Sequence, residues 1–121
     1  MSLVLSACEP QAPGTDLGVV VPSGLLASDD ARARGEKIFA EKCALCHGTR
    51  GDGRGMRKLG LSGPPANFRS ARWRADATPG EVFTVLERGV RGTSMPAWPA
   101  LSDNEKWDVV SYVLGLSEER P

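Results

Sequence analysis

Hydrophobic positions follow a helical period in three stretches of the chain. The first stretch begins after Ser28, a residue type that favours the N-cap, and continues over residues 31–46, which contain no proline. Ile38 and Phe39 lie on one side of it. Gly35 lies within this predicted helix, where glycine costs about 1 kcal/mol relative to alanine. The close approach of another backbone segment would compensate for that cost.

The second and third helices each begin with a capping box, and each carries an apolar face. The second opens at Thr78 and Glu81, with Pro79 at the first helical position. Its apolar face consists of Val82, Phe83, Val85 and Leu86, and Gly89 ends it. The third opens at Ser102 and Glu105. It carries Trp107, Val110 and Leu114 at helical spacing, with Tyr112 and Val113 beside them. No alternating strand pattern occurs, so the sequence predicts an all-α domain with three main helices.

Glycine and proline interrupt the rest of the chain. Residues 48–77 are rich in both and predict a long loop, with a short helical turn near Arg57. A loop of this length in a small domain indicates that the chain wraps around something. Residues 9–26 are also rich in proline and glycine and lack any period, which is typical of a linker.

Composition places the chain among soluble globular proteins of one domain, with 121 residues, 40% apolar and 25% charged. It contains no run of eighteen apolar residues, so no transmembrane helix is predicted. A net charge of zero argues against binding to nucleic acid. Between Arg50 and Arg91, however, nine basic residues oppose four acidic ones, a net charge of +5. An anionic group is therefore expected beside this segment.

The single histidine, His47, excludes sites that need two or three imidazoles, and with them most catalytic zinc sites. It ends the motif Cys43-Ala44-Leu45-Cys46-His47, the Cys-x-x-Cys-His pattern at which haem c is attached. Thiols three residues apart lie on one face of a helical turn, so both can add to the vinyl groups of one porphyrin. The histidine that follows can then project toward the iron. The sequence thus predicts one covalently bound haem.

Two other uses of the cysteine pair fit the sequence less well. A thioredoxin-like redox pair requires a βαβ context, and none is predicted here. A zinc site requires a second pair of ligands, but the third cysteine, Cys8, lies in the N-terminal tail and no second histidine exists.

A haem iron bound by His47 has a sixth position, for which the sequence offers Met56, Met95 or, less well, a lysine. Met56 is nine residues from His47, and a loop of that length can stretch about 30 Å, so reach does not exclude it. Met95 lies in the segment Met95-Pro96-Ala97-Trp98-Pro99, where two prolines stiffen the backbone that would present the sulfur. Context therefore favours Met95.

Residues 29–119 resemble a class I cytochrome c of the bacterial single-haem type. The matching pieces are residues 35–39, 43–48, 51–53, 63–65, 92–98, 101–102 and 107–114. The resemblance implies a cytochrome c fold, in which the first and last helices cross at Gly35 and Phe39 packs near Tyr112. It also implies that a carbonyl of the Gly63-Pro64-Pro65 turn accepts the second imidazole N–H of His47.

The same resemblance implies a haem pocket. Its expected residues are Pro64, Pro65, Phe68, Trp73 and Trp98. Arg72 is also expected in the pocket. Trp73 and the arginines Arg69, Arg72 and Arg74 are expected to be partners of the two haem propionates, which would explain the positive charge of the segment, and a solvated loop is the alternative for the arginines.

The N-terminal segment predicts a membrane anchor. Leu5-Ser6-Ala7-Cys8 resembles the lipobox of bacterial lipoproteins, in which the cysteine is lipidated, although the charged start and most of the apolar stretch of a signal peptide are missing. An accidental match in a flexible tail is the alternative. We therefore divide the chain into residues 1–28, a lipoprotein signal remnant with a flexible linker, and residues 29–121, the cytochrome c domain.

Ligation by His47 and Met95 would leave the iron without an open position, which favours one-electron transfer between periplasmic redox proteins over catalysis. The alternative is a cytochrome subunit of a dehydrogenase, an oxidase or a sulfur-oxidising complex. A third possibility is a sensor or peroxidase-like protein in which another ligand displaces Met95.

Overall fold

Helices dominate the computed structural model, which describes residues 14–57 and 61–116. In chain order the elements are β1 (Thr15–Asp16), β2 (Val19–Val20), a 3₁₀ helix (Leu25–Ala27), α1 (Asp29–Lys42), α2 (Ala44–His47), α3 (Ala71–Asp76), α4 (Pro79–Arg88) and α5 (Asp103–Gly115). The predicted fold class is confirmed, with α1, α4 and α5 as the main helices. No helix in these described ranges has both the length and the apolar character needed to cross a membrane.

The three long helices begin where their caps predict. The Ser28 hydroxyl accepts a hydrogen bond from the N–H of Ala31 at 3.1 Å, and Thr78 accepts one from Glu81 at 3.2 Å. The capping box of α5 is complete between Ser102 and Glu105. These bonds satisfy N–H groups that lack a partner in the first turn of a helix.

The predicted first helix is interrupted at Cys43. The expected continuous helix over residues 31–46 is instead α1 followed by α2, and Cys43 joins them with φ −114° and ψ −31°. The motif therefore forms a separate helical turn rather than the end of α1.

The crossing of α1 and α5 is the closest helix contact in the fold. At Gly35 a Cβ atom would clash with the carbonyl oxygen of Asp108 and lie 2.9 Å from the Cβ of Tyr112. The rings of Phe39 and Tyr112 pack beside the crossing with centroids 5.2 Å apart, and Arg34 pairs with Asp108 at 3.0 Å. The crossing that the family resemblance implied is thus present.

Helix α5 also holds α4 in place. Phe83 of α4 stacks on Trp107 of α5 with ring centroids 4.2 Å apart and an interplanar angle of 19°. Lys106 is buried, lies above the Phe83 ring and pairs with Glu87 at 3.3 Å. These contacts fix the face of α4 that borders the cavity described below.

The described part of the N-terminal segment differs from the linker prediction. Residues 14–27 form a short hairpin and a 3₁₀ helix that pack on the helical domain. Asp16 accepts a hydrogen bond from the N–H of Gly80 at 2.6 Å, and Leu25 is buried while its carbonyl accepts from Ser111 at 3.0 Å. The short apolar runs at residues 19–21 and 25–26 stand among glycines and prolines and show no period, which is why the pattern predicted a linker.

The long loop also contains a helix that the pattern did not predict. The short helix α3 covers residues 71–76, whereas residues 51–57, the described residues up to Arg57, contain no helical turn. Ser70 caps α3 by accepting a hydrogen bond from the N–H of Trp73 at 3.3 Å.

We expect Gly35→Ala to lower the free energy of unfolding by about 1–3 kcal/mol, because backbone must shift to admit the methyl group. Alanine's higher helix propensity would offset only about 1 kcal/mol of this cost. Denaturant unfolding of the holoprotein, followed by circular dichroism, measures the change. Glu36→Ala, at an exposed neighbouring position, is the control and should change stability by less than about 0.5 kcal/mol. A Gly35→Ala protein as stable as the wild type would contradict this account of the crossing.

Candidate functional site

An apolar cavity of about 360 Å³ lies between α1, α4 and α5 and is bordered by the loops around residues 61–68 and 93–98. The Cys43–His47 turn forms one wall, and Val82 and Leu86 of α4 face it together with Val109 and Val113 of α5. A cavity of this size and character suits a large apolar ligand.

The two thiols of the motif reach this cavity from one helical turn. The N–H groups of Cys46 and His47 both bond to the carbonyl of Cys43, at 3.2 and 3.0 Å. Cys43, Cys46 and His47 all line the cavity, and both cysteines are unpaired. Burial raises the pKa of the Cys43 thiol to about 11, an effect that nearby Lys42 opposes.

The imidazole of His47 is oriented by a backbone carbonyl. Its Nδ1 lies 3.1 Å from the carbonyl oxygen of Ala66. Because a carbonyl can only accept, this bond keeps the proton on Nδ1 and leaves Nε2 free to bind a metal. Burial lowers the pKa of His47, and the bond to Ala66 partly opposes this shift. Both effects suit a neutral imidazole ligand.

The orienting carbonyl is not the one expected. The family resemblance implied an acceptor within Gly63-Pro64-Pro65, whereas the acceptor is Ala66, the next residue. The carbonyl of Pro65 instead faces Gly53, where it would lie 3.0 Å from a Cβ atom. The Pro65–Ala66 segment therefore contacts the glycine-rich loop at Gly53 through its first carbonyl and His47 through its second.

Aromatic rings support the imidazole on the side of α3. Phe68 stacks on His47 with ring centroids 4.6 Å apart, and Trp73 contacts Phe68 edge-on at 4.8 Å. Phe68 also packs against Phe39 at 6.1 Å. Phe68 and Trp73 both line the cavity, at the positions where walls were predicted.

The loop after the motif is bonded to the motif's own carbonyl groups. The N–H groups of Gly53, Gly55 and Arg57 bond to the carbonyls of His47, Cys46 and Leu45, at 2.8, 3.2 and 3.0 Å in that order. The carbonyls at the end of a helix lack partners within it. This loop therefore satisfies the C-terminal end of α2 and holds the motif against the cavity.

The two candidate methionines occupy different environments. Met95 is half-buried and lines the cavity, whereas Met56 is 90% exposed and does not. The Thr93 hydroxyl accepts from the N–H of Met95 at 3.2 Å, and the Met95 carbonyl accepts from the N–H of Val90 at 3.1 Å. Ser62 and Ser94 join this segment to the opposite loop. The structure thus brings Met95, and not Met56, to the same cavity as His47.

Five of the predicted pocket residues line the cavity. Pro64, Pro65 and Trp98 line the cavity together with Phe68 and Trp73. The Nε1 of Trp98 is buried and has no hydrogen-bond partner among the described residues.

None of the three arginines lines the cavity, so Arg72 lies outside the pocket in which it was predicted, whereas contact of the arginines with the haem propionates stays a prediction. Arg72 is exposed on α3, and Arg74 donates from Nε to the carbonyl of Leu114 at 3.0 Å. Arg69 bonds to the carbonyl of Arg50. One side of α3 faces the cavity and carries Trp73, so Arg72 and Arg74, its neighbours in sequence, point elsewhere.

Sequence reasoning missed several cavity residues. Lys42 and Glu81 are charged groups at its border, and Leu61 and Val90 add apolar surface. The apolar faces of α4 and α5, which the sequence pattern shows, could have indicated that these two helices form a wall of the cavity. No local pattern marks Ala66, whose role depends only on its carbonyl.

The donor set fits a haem better than a bare metal ion. Two thiols, an imidazole with a free Nε2 and a thioether share one apolar cavity, and histidine and methionine are common axial ligands of haem iron. In the described ranges no three His, Cys, Asp or Glu side chains converge as a metal-binding group. The predicted lipidation site, Cys8, lies outside the described residues.

Solved structures of several proteins are similar to this chain. A chain of the reducing HAO-like protein complex of Kuenenia stuttgartiensis superposes with a TM-score of 0.69 and 28% identity, over 86% of this chain and 50% of that one. Cytochrome c6 from the diatom Phaeodactylum tricornutum superposes with a TM-score of 0.52 and 26% identity, over 71% and 93% of the two chains.

Among curated proteins, the cbb3-type cytochrome c oxidase subunit CcoP of Rhodobacter capsulatus is 33% identical over 98 residues, which cover 74% of this chain. The matched region covers 31% of the length of that relative, so the chain spans about a third of it. The family model described as cytochrome c oxidase, cbb3-type, subunit III matches residues 30–113. With its Cys-x-x-Cys-His turn on an apolar cavity and this match over most of its length, the chain belongs to that family of c-type cytochrome domains.

Proposed function

We propose that this chain binds one haem c through Cys43 and Cys46 and passes single electrons between redox proteins. The observation that carries the proposal is the convergence of Cys43, Cys46, His47 and Met95 on one apolar cavity. The sequence contains one Cys-x-x-Cys-His motif and one histidine, which supports a single haem. In this proposal His47 and Met95 would bind the haem iron.

A haem bound there would supply an iron that exchanges one electron between its ferrous and ferric states. His47 and Met95 would occupy both axial positions, so no position remains for oxygen or peroxide. The Ala66 carbonyl fixes the orientation of the imidazole and raises its basicity as a ligand. The apolar walls would limit the access of water to a bound haem, and the thioether of Met95 would favour its ferrous state.

A second candidate role is that of a subunit within a larger oxidoreductase complex. The support is the similarity to a cbb3-type oxidase subunit and to a chain of a reducing HAO-like complex. In such a complex this domain would carry electrons toward a catalytic centre on another chain. Both roles require the same ligands and differ in whether the domain binds its partner permanently.

We also propose that the domain lies on the periplasmic side of a membrane, anchored by a lipid on Cys8. The support is the lipobox-like Leu5-Ser6-Ala7-Cys8. Because residues 14–27 pack on the domain, the chain between Cys8 and Gly14 could separate the anchor from the domain by at most about 20 Å. The haem domain would therefore stay close to the membrane surface.

Covalent attachment is tested by acid extraction. When the chain is matured with haem-attachment machinery, one haem should add to its mass and resist extraction into acidified organic solvent. Changing both Cys43 and Cys46 to alanine should leave only extractable haem or none, because no thioether bond can form. Cys8→Ala is the matched control and should keep the haem attached. Retention of haem in the double variant would overturn the proposal.

The axial ligand is tested by comparing two methionine variants. Met95→Ala should abolish the weak far-red band of Met-ligated ferric haem, admit carbon monoxide to the reduced protein, and lower the reduction potential. The potential falls because water or hydroxide stabilises the ferric iron relative to the soft sulfur. Absorption spectroscopy and redox titration measure these changes.

Met56→Ala is the control. It should leave the band, the carbon monoxide response and the potential unchanged, and should alter stability by less than about 0.5 kcal/mol because Met56 is exposed. Loss of the band in Met56→Ala would show that the wrong methionine was chosen. A wild-type protein that binds carbon monoxide readily and turns over peroxide would contradict the carrier function.

The lipid anchor is tested by cell fractionation. Expression behind a complete lipoprotein leader should place the protein in the membrane fraction, and Cys8→Ser should release it into the periplasm, because the lipid is the only proposed anchor. The released variant should keep the absorption spectrum of the wild type. Mass spectrometry that finds unmodified Cys8 in the mature protein would rule out the anchor.

A further inference from the structure

The N-terminal hairpin carries an outward apolar surface that the haem cavity does not explain. Strands β1 and β2 pair antiparallel, with Thr15 opposite Val20 and Asp16 opposite Val19. Because side chains alternate between the two faces of a strand, each of these pairs lies on one face of the hairpin. Asp16 and Val19 face the domain, and Val19 packs against its core. Thr15 and Val20 form the outer face, where Val20 is 62% exposed.

The tip of the hairpin exposes a leucine in a backbone conformation that leucine disfavours. Leu17 and Gly18 form the two-residue turn between the strands, with φ 53° and 77°. Positive φ at both central residues is the mark of a type I′ turn, in which Asn-Gly is the preferred pair. Leu17 is the only non-glycine residue with positive φ among those the structure describes, and its side chain is 66% exposed. Neither the backbone nor packing within the domain therefore accounts for a leucine at this position.

The outer face of this segment carries no charged side chain. Among residues 14–27 the single charged residue is Asp16, and its carboxylate faces inward, where it accepts the hydrogen bond from the N–H of Gly80 at 2.6 Å. At the other end of the segment Leu26 is 40% exposed. An uncharged surface with exposed leucine and valine fits an apolar partner rather than a charged one.

The hairpin is attached to the domain at α4, so a contact made at its tip would orient the domain. The Asp16 carboxylate binds the first turn of α4, and a Cβ atom at Gly80 would lie 2.5 Å from the carboxyl carbon of Asp16. The N–H of Val21 bonds to the carbonyl of Gly14 at 2.8 Å, which closes the open end of the hairpin. The same helix α4 lines the cavity with Val82. One helix thus connects the hairpin tip to the haem pocket.

The sequence brings the proposed lipid anchor next to this hairpin. Cys8 is six residues before Gly14, and six residues span at most about 20 Å. A lipid on Cys8 would therefore hold the hairpin close to the bilayer. Protein interfaces are enriched in aromatic residues and arginine, and residues 14–27 contain neither. Exposed leucine is typical of segments that enter the boundary between lipid headgroups and acyl chains.

We propose that the hairpin tip, formed by Leu17 with Val20 beside it, inserts into the surface of the lipid bilayer and orients the domain on it. The proposal rests on the lipid anchor proposed above and adds a second contact with the membrane. An anchored cysteine limits the distance between the domain and the bilayer but leaves the domain free to rotate. A second contact at the tip removes that freedom and fixes which side of the haem domain faces away from the membrane.

Spin labelling of the anchored holoprotein tests the contact. Behind a complete lipoprotein leader, Cys8 is bound to lipid and Cys43 and Cys46 to haem, so Leu17→Cys adds the only free thiol for a nitroxide. Since burial of a leucine-sized side chain shifts an equilibrium by about tenfold or more, the label should be roughly three- to tenfold less accessible to a water-soluble nickel chelate than one at Met56→Cys. Power-saturation EPR in phosphatidylcholine vesicles measures this, and oxygen should show the opposite order. The residue 17 label on Cys8→Ser protein in solution gives the value for full exposure.

The possible failures of this experiment are distinct. A label at residue 17 that is as accessible to the nickel chelate as one at residue 56 would overturn the membrane contact and leave the anchor intact. Mass spectrometry that finds unmodified Cys8 in the mature protein would overturn the anchor, and the hairpin contact with it. Protection that disappears at about 0.5 M salt, where charges are screened beyond a few ångströms, would assign the contact to a charged surface instead of the hairpin.

A second variant separates the membrane contact from folding. Leu17→Asn introduces a residue that a type I′ turn favours, so the denaturant midpoint of the soluble Cys8→Ser holoprotein should not fall. In the anchored protein, however, a nitroxide at Val20→Cys should become as accessible to the nickel chelate as one at residue 56, because the tip no longer inserts. Leu17→Met is the matched apolar control and should keep residue 20 protected.

Two outcomes of this comparison would overturn the proposal. A lower denaturant midpoint for Leu17→Asn, with unchanged protection at residue 20, would give Leu17 a structural role within the domain. A dimer of the Cys8→Ser protein that Leu17→Asn dissociates, detected by sedimentation velocity, would assign the tip to a second copy of the chain.

Discussion

The fold depends on the close approach of α1 and α5 at Gly35. With no side chain there, the carbonyl of Asp108 reaches the backbone of α1, and Phe39 meets Tyr112 one turn further on. This contact directs the end of α1, and so Cys43, toward Val109 and Val113 of the same helix α5. Helix α4 is then held on α5 by the stacking of Phe83 on Trp107. The cavity is the space that these three helices leave between them.

The loop that follows the motif is long because it has two structural tasks. Residues 53–57 satisfy the carbonyls at the end of α2, which would otherwise be unpaired near an apolar cavity, where a lost hydrogen bond costs about 1–3 kcal/mol. The chain must then return past Gly53 so that Ala66 can orient His47. The glycines permit the close backbone contacts of the first task. Phe68 and Trp73 provide the packing of the second.

Features that depend on short-range chemistry could be predicted from the sequence. The caps at Ser28, Thr78 and Ser102, the crossing at Gly35 and the cavity positions of Phe68, Trp73 and Trp98 follow from local patterns and from the family resemblance. Features that depend on distant backbone atoms could not. The Ala66 carbonyl, the packing of Asp16 on Gly80 and the outward placement of Arg72 leave no pattern in neighbouring residues. A count of charges over 42 residues, 50–91, likewise cannot tell an arginine that faces a cavity from one that faces solvent.

The attachment turn therefore has two distinct sides, and the same backbone determines both. Its inner side presents the thiols and the imidazole to the cavity, while the carbonyls of Leu45 and Cys46 face the loop. If the loop lay farther away, those carbonyls would need water, and the apolar cavity would lose part of its protection from solvent. Because it lies close, the backbone N–H groups of Gly55 and Arg57 satisfy these carbonyls directly. The close approach of the loop thus holds the thiols and the imidazole of the turn against the cavity in which we propose the haem binds.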